Sequence, residues 1–253
     1  IIISKFTNAG LLLASFLCFR QLFSQRQFLA ALIIVAPSTI SISHYTWSEN
    51  LFLFATALSL WQVHRLAHMQ SYISQVVLMI ALLFGISSRY FFGPFAALIW
   101  LSTFVIYGTE TAKRTLPVFI ISFFAFVFYY LLNSELTGYG TGMQRISAPE
   151  SLLYLIIRFF WAVLYKELPA LILLLFFFYL ITKKMNEIKI PSINSIWFKK
   201  GELLVLAAGL SFLLLSFVFR IIVQFDLYGF RTLGYGLTFL VVATYALITI
   251  SKK

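Results

Sequence analysis

Long apolar runs, separated by short polar or basic segments, dominate the sequence. We predict about nine of these runs as membrane-spanning helices, because roughly 20 apolar residues cross the hydrocarbon core of a bilayer as a helix. The predicted spans are 4–19, 28–43, 50–65, 72–88, 92–109, 115–133, 168–182, 202–222 and 233–250. The runs are continuous and do not alternate, which argues against a β-barrel. The predicted fold class is therefore all-α: a polytopic transmembrane helical bundle that forms a single domain over residues 1–253.

Composition supports this class. The chain is 61% hydrophobic and 11% charged, with a mean hydropathy of +0.95. Soluble domains carry roughly 25% charged residues, so a soluble fold of this size is not expected. The net charge of +11 comes mostly from Lys and Arg clusters between the apolar runs, which indicates membrane topology better than nucleic-acid binding. The single cysteine, Cys18, lies within an apolar run, so no disulfide within the chain is expected.

Basic residues follow every odd-numbered predicted span. They are Arg20, Arg26, Arg65, Lys113, Arg114, Lys183, Lys184, Lys189, Lys199, Lys200, Lys252 and Lys253. Because Lys and Arg are enriched in cytoplasmic loops, these segments, including the linker 183–200, are predicted to be cytoplasmic. The N-terminus of the sequence then lies outside and the C-terminus inside. We expect a multi-pass protein of the plasma (inner) membrane, and a fragment whose N-terminal spans precede residue 1.

Residues 134–167 are predicted to form an external loop followed by an interfacial helix. Three glycines between 138 and 142 let the backbone approach a ligand closely, so we expect this loop to cover any chemical site. Ser147 and Glu150 resemble a capping box, which predicts a helix over 151–165 and a break at 166–169. Among the other prolines, Pro37 is predicted to kink the second span and Pro117 to lie near the start of the sixth.

Polar side chains from four external segments are predicted to lie at one membrane level. We expect them to line one outward-facing cavity; the alternative is that each only marks a helix end in the headgroup layer. The candidate substrate-binding residues are His44, Glu49, Arg89, Tyr90, Asn133, Arg145, Asp226 and Arg231. Arg89 could bind a phosphate or extend into the headgroups. Glu49 also suits the first turn of a helix, and Arg231 could pair with Asp226.

Two histidines on one predicted helix face, His64 and His68, have a spacing compatible with a metal. No third histidine or cysteine is near, and Arg65 stands where the zinc-protease pattern needs glutamate. We therefore predict no metal site.

Four segments resemble, in the expected order over about residues 37–235, motifs of the polytopic GT-C glycosyltransferases. Residues 37–52 (PSTISISHYTWSENLF) resemble their Pro…Ser-Glu-x-Leu-Phe segment, and residues 88–93 (SRYFFG) resemble their Thr-Arg-Tyr-x-Gly. Residues 133–145 (NSELTGYGTGMQR) are similar to an Asn…Gly…Gly-x-Arg loop of bacterial members. Residues 225–231 (FDLYGFR) are similar to a Phe-Asp…Arg near their last spans, without the proline that commonly follows.

The resemblance implies hexosyl or pentosyl transfer from a polyprenyl-phosphate-linked donor to a lipid or glycan acceptor at the outer face. It places the catalytic base, an acidic residue, upstream of residue 1, so no catalytic residue is assigned. Glu49 would orient or hydrogen-bond the substrate, and Arg89 and Arg145 would hold phosphate. Arg231 would be a further phosphate-binding or structural cation. A divalent cation could assist, but no ligand for it is assigned. The expected partners are the donor, the acceptor and membrane lipids, with no nucleic acid.

Two functions of other classes stay open. A transporter or flippase for lipid-linked or anionic solutes would place ionisable residues midway along the spans, and these spans have almost none. A non-catalytic membrane scaffold would leave the outer charges scattered.

Overall fold

The computed structural model describes residues 2–23, 27–43, 47–140, 150–169, 171–173, 175–176, 199–222 and 230–251. Every regular element in these ranges is helical, and they contain no strand. The all-α class predicted from the sequence is therefore confirmed for this part of the chain.

Ten α-helices and one π-helical turn make up the described ranges. They are α1 (Ile2–Arg20), α2 (Leu29–Val35), α3 (Pro37–Ser43), α4 (Trp47–His68), α5 (Tyr72–Ser88), α6 (Phe92–Tyr107), α7 (Thr109–Thr137), α8 (Leu152–Ala162), the π-helical turn (Val163–Glu167), α9 (Lys199–Ile222) and α10 (Phe230–Ser251). Two of these helices, α7 and α9, are long and apolar enough to cross a membrane, judged by length and composition alone. This supports membrane association weakly, and the nine-span topology stays a prediction.

The second predicted span is two short helices, because the chain breaks at Pro37. Ala36, between α2 and α3, has extended backbone with φ −56° and ψ 138°, as expected for a residue before proline. Pro37 has no N–H to donate to the Ile33 carbonyl, and the Thr39 hydroxyl donates to that oxygen instead, at 2.7 Å. The predicted kink at Pro37 is thus confirmed as a complete break whose backbone acceptor is satisfied by a side chain.

Three predicted helix limits differ from the structure: both ends of the sixth predicted span and the break at 166–169. α7 begins at Thr109, directly after Gly108 with φ +88°, so Pro117 lies inside the helix and not near its start. α7 also continues to Thr137, which makes Asn133 helical. Residues 166–169 do not form the predicted break: the π-helical turn ends at Glu167, and residues 168 and 169 are helical. A π turn shifts the hydrogen-bond ladder locally, so a helix can pass an irregular stretch without ending.

An aromatic cluster around Phe52 of α4 forms the centre of the core. Phe52 is 1% exposed, and its ring centroid lies between 5.3 and 6.2 Å from those of five aromatic neighbours. The neighbours are Phe91, Phe92, Phe95, Phe212 and Tyr235. Offset and edge-on aromatic pairs contribute about 0.5–1.5 kcal/mol beyond their buried area. The cluster therefore fixes the first turns of α4, the start of α6, α9 and α10 against one another.

Helices α9 and α10 approach closely where glycines face each other. A Cβ atom added at Gly209 would lie 2.8 Å from the Gly236 carbonyl oxygen and 2.8 Å from the Leu240 amide nitrogen. Small residues at such a crossing let two helix backbones come together. This contact holds α10, and with it Tyr235, against the rest of the bundle.

Candidate functional site

Two candidate residues from separate sequence motifs meet in the fold. Glu49, in the first turn of α4, is fully buried, and its Oε1 accepts a hydrogen bond from Nη2 of Arg89. The Arg89 side chain is 16% exposed. A carboxylate removed from solvent needs an opposite charge, and Arg89 supplies it. The pair joins positions 40 residues apart in the chain.

Arg89 occupies a corner between α5 and α6. Its backbone is extended, with φ −158° and ψ 131°, which ends α5, while its N–H still donates to the Gly85 carbonyl at 3.1 Å. The Arg89 carbonyl then accepts from the Phe92 N–H at 2.9 Å, where α6 begins. The corner thus holds the Arg89 backbone at both sides and directs its side chain toward α4. Glu49 also lies in the first turn of α4, where a carboxylate interacts favourably with the helix dipole. The sequence had indicated this position as an alternative explanation of Glu49.

Tyr235 of α10 supports the same turn of α4. Its hydroxyl donates to the backbone carbonyl of Glu49 at 3.3 Å, and its ring is stacked on Phe52 at an interplanar angle of 8°. Tyr235 is only 1% exposed. Tyr235 is not among the site residues predicted from the sequence. The available signal was a tyrosine among glycines and aliphatic residues in the second turn of an apolar helix, where its hydroxyl needs a partner.

Asn50, the residue after Glu49, brings a side-chain amide into the same buried turn. Its side chain is fully buried, and neither its Nδ2 nor its Oδ1 atom has a hydrogen-bond partner among the described residues. Buried amides are normally paired, because an unmade hydrogen bond costs about 1–3 kcal/mol. Asn50 therefore places a buried amide with no described hydrogen-bond partner in the same turn of α4 as Glu49.

A second ion pair lies near the first. Arg220, at the end of α9, is 3% exposed, and its Nη2 donates to Glu150 Oε1 at 2.8 Å. The preceding residue, Phe219, contacts the ring of Tyr90 at 6.1 Å, and Tyr90 follows Arg89 directly. Glu150 does not act as the predicted capping-box residue, because the N-cap of α8 is Ser151, whose Oγ accepts from the Tyr154 N–H at 3.3 Å.

The other predicted site residues are not brought to this pair within the described part of the chain. Asn133 lies in the last turns of α7, partly exposed, and its carbonyl accepts from Thr137 Oγ1 at 2.7 Å. Arg231 lies in the first turn of α10, but its side chain is not described. The predictions for His44, Arg145 and Asp226 fall outside the described residues. A single cavity that joins all eight candidates thus stays a prediction.

An apolar groove of about 210 Å³ lies between α5, α6 and α7. Its lining includes Ile86 and Gly93, which flank the Arg89 corner in the chain, and Trp100 and Phe119 farther along. Its one polar lining residue, Ser122, already donates its hydroxyl to the Val118 carbonyl at 2.8 Å. The groove therefore suits a hydrocarbon chain and not a polar ligand.

At the opposite end of α4, the histidine pair is engaged in a different contact. His64 Nδ1 lies 2.7 Å from the Tyr107 hydroxyl, and the His64 and His68 rings are 4.7 Å apart. The Lys200 ammonium lies 5.6 Å from the Tyr107 ring centroid. In the described ranges, no group of three His, Cys, Asp or Glu residues is arranged to hold a metal ion.

Comparison with known proteins adds no relative. No protein-family model matches the chain, and neither curated proteins nor solved structures gave a match. The resemblance to GT-C glycosyltransferases therefore depends on the four motifs alone.

Proposed function

We propose that the chain is part of an integral-membrane glycosyltransferase that moves a sugar from a polyprenyl-phosphate-linked donor to a lipid or glycan acceptor at the outer face. The observation that carries the proposal is the Glu49–Arg89 ion pair. The first two motifs of the resemblance supply one residue each to this pair. A shared site would require them to meet, whereas scattered helix-end charges would not.

In this proposal the chain crosses the plasma membrane about nine times, with its N-terminus outside and its C-terminus in the cytoplasm. The basic residues that follow every odd-numbered span support this topology. The surface of α7 supports it as well, since Phe123, Phe124 and Phe128 are 57–67% exposed. Large exposed apolar surfaces of this kind are rare on soluble monomers but ordinary against lipid tails.

Arg89 holds the donor phosphate. Its side chain is partly exposed, and Glu49 engages Nη2, so other N–H groups of the planar guanidinium can bind a phosphate oxygen. Glu49 itself is fully buried, so we now assign it to positioning Arg89 and not to direct contact with the sugar. Cations fixed beside a phosphate leaving group stabilise the negative charge that develops on it. The apolar groove beside the Arg89 corner accommodates the lipid part of the donor.

The proposal is tested by sugar transfer in membranes that contain the full natural protein, with hexosyl and pentosyl polyprenyl phosphates as donors. We expect Arg89→Gln to lower the rate about 100-fold, the cost of losing one donor to a developing oxyanion. Glu49→Gln should lower it less, because Arg89 keeps its charge.

Arg114→Gln, at the opposite end of the bundle, is the matched control and should leave transfer unchanged. Thermal unfolding in detergent separates loss of activity from loss of folding. The proposal is overturned if a folded Arg89→Gln variant transfers sugar at the wild-type rate. It is also overturned if the natural protein transfers sugar from none of the donors.

A further inference from the structure

The helical segment made of α8 and the π-helical turn that follows it, residues 152–167, has three different faces, because residues three and four apart lie on the same side of a helix. One face packs on the bundle: Leu155 and Ala162 are buried, and Phe159 contacts the Phe217 ring at 5.3 Å. A second face is apolar and turned outward, with side chains 53–67% exposed; it contains Leu153, Ile157, Phe160 and Leu164.

The third face carries aromatic rings and one cation, and we call it the aromatic–arginine stripe: Tyr154, Arg158, Trp161 and Tyr165. All four side chains are exposed. Arg158 Nε donates to the Tyr154 hydroxyl at 2.8 Å, and its Cζ lies 5.2 Å from the centre of that ring. Trp161 is stacked on Tyr165, with ring centroids 4.1 Å apart. The stripe thus consists of two contacting pairs that follow each other along the helix, Tyr154 with Arg158 and Trp161 with Tyr165.

Tyrosine, tryptophan and arginine beside an apolar helix face are typical of the boundary between headgroups and hydrocarbon. The stripe runs from Tyr154 in α8 to Tyr165 in the π-helical turn that follows. Its polar tips can share one depth in a bilayer only if the helix axis lies parallel to the membrane surface. In an upright helix, Tyr165 would lie about 16 Å deeper than Tyr154, at a rise of ~1.5 Å per residue.

We propose that α8 lies in the headgroup interface at the outer face of the plasma membrane. It binds phospholipid headgroups through the aromatic–arginine stripe, with Arg158 on the phosphate. A guanidinium binds phosphate through parallel N–H groups, and the hydrogen bond to Tyr154 orients it in advance. The Glu150–Arg220 pair anchors the residue before the α8 N-cap to the end of α9, which fixes one end of the helix. This interaction does not depend on the proposed sugar transfer.

Depth measurements test the orientation. Single nitroxide labels at Leu153 and at Leu164, in a Cys18→Ser background, are compared in phosphatidylcholine vesicles by collision with oxygen and with a water-soluble nickel chelate. We expect equal depths within a few ångströms, because both positions are on the apolar face that is turned outward. A difference approaching ~16 Å would mean an upright helix, and labels that neither quencher reaches would mean a protein partner. Either result would overturn the proposal.

The headgroup contact is tested with spin-labelled phosphatidylglycerol confined to the leaflet that faces α8. Arg158→Gln should lower the preference for this lipid over phosphatidylcholine about fivefold, the factor equivalent to ~1 kcal/mol for one basic residue. Arg158→Lys should keep most of the preference, and Arg114→Gln, at the other end of the bundle, should keep all of it. An unchanged preference in a folded Arg158→Gln variant would overturn the assignment of phosphate to Arg158.

Discussion

Arg220 is a nearly buried cation whose counter-charge comes from a distant part of the chain. Its side chain is 4% exposed, whereas that of its partner Glu150 is 26% exposed. Arg220 therefore depends on the ion pair more than Glu150 does. A buried guanidinium without a carboxylate is poorly solvated, but a carboxylate at the edge of the fold can be hydrated.

We accordingly predict unequal effects of breaking this pair. Glu150→Ala should lower the free energy of unfolding by about 3 kcal/mol, because it leaves Arg220 buried and uncompensated. Arg220→Met, which keeps most of the volume without the charge, should cost about 1 kcal/mol or less. Denaturant unfolding in detergent measures both.

The double variant should be close to Arg220→Met alone, since the cost of Glu150→Ala disappears once the buried charge is gone. Equal costs for the two single variants, or additive costs in the double variant, would contradict this explanation of the pair.

Individual residues were predictable where their chemistry conflicts with their surroundings. Glu49 and Arg89 stood out because charges at the ends of apolar runs are costly, and this is independent of how the helices pack. Their pairing was not predictable, since it depends on the side-by-side packing of α4 and α5. Tyr235 was missed for the same reason: its role depends on the packing of α10 on α9 and α3, which brings the tyrosine side chain to α4 and which no local pattern encodes.

At the scale of the helices, the contact between α9 and α10 depends on the absence of a side chain. Gly209 lies against the backbone of α10, which cannot move aside as a flexible side chain can. Gly10 of α1 has no atom within 4 Å of the position its Cβ would occupy. The two glycines are therefore a matched pair for substitution.

We predict that Gly209→Ala separates α9 from α10 and lowers the free energy of unfolding by about 1–3 kcal/mol, the usual cost of overpacking. Gly10→Ala should stabilise α1 slightly, because alanine is the better helix former by ~1 kcal/mol. Thermal unfolding of both variants in detergent checks the difference. A Gly209→Ala variant as stable as the parent would mean that the helices can move apart without cost.

Within the described ranges, helix positions followed well from apolar run length, because the burial of a continuous apolar stretch decides where a helix forms; most of the seventh predicted span, 168–182, lies outside these ranges. The limits of α5 match the predicted range 72–88 at both ends. Predictions failed where one residue type was taken as a helix end. Pro117 sits inside α7, and the chain continues through a π turn at 163–167. Proline marks an end only when the lost hydrogen bond is not tolerated by the surrounding packing.

At the scale of the whole molecule, the proposed topology places Glu135 outside and Gln70 in the cytoplasm. Both residues are exposed, Glu135 near the end of α7 and Gln70 between α4 and α5. In a Cys18→Ser background, we predict that Glu135→Cys reacts with a membrane-impermeant maleimide in intact cells. Gln70→Cys should react only after permeabilisation. Labelling of both positions, or the reverse order, would contradict the orientation inferred from the basic clusters.

The break at Ala36 has a consequence for the lipid around the protein. Helices α2 and α3 have seven residues each, so each is about 10 Å long and the two placed end to end reach only ~21 Å. A bilayer core is ~30 Å thick, and a segment shorter than the core is accommodated by local thinning. In the proposed topology this hydrophobic mismatch draws the two leaflets together beside α2 and α3. The outer headgroups there would lie several ångströms lower, closer to the first turn of α4 and to Arg89 beside it.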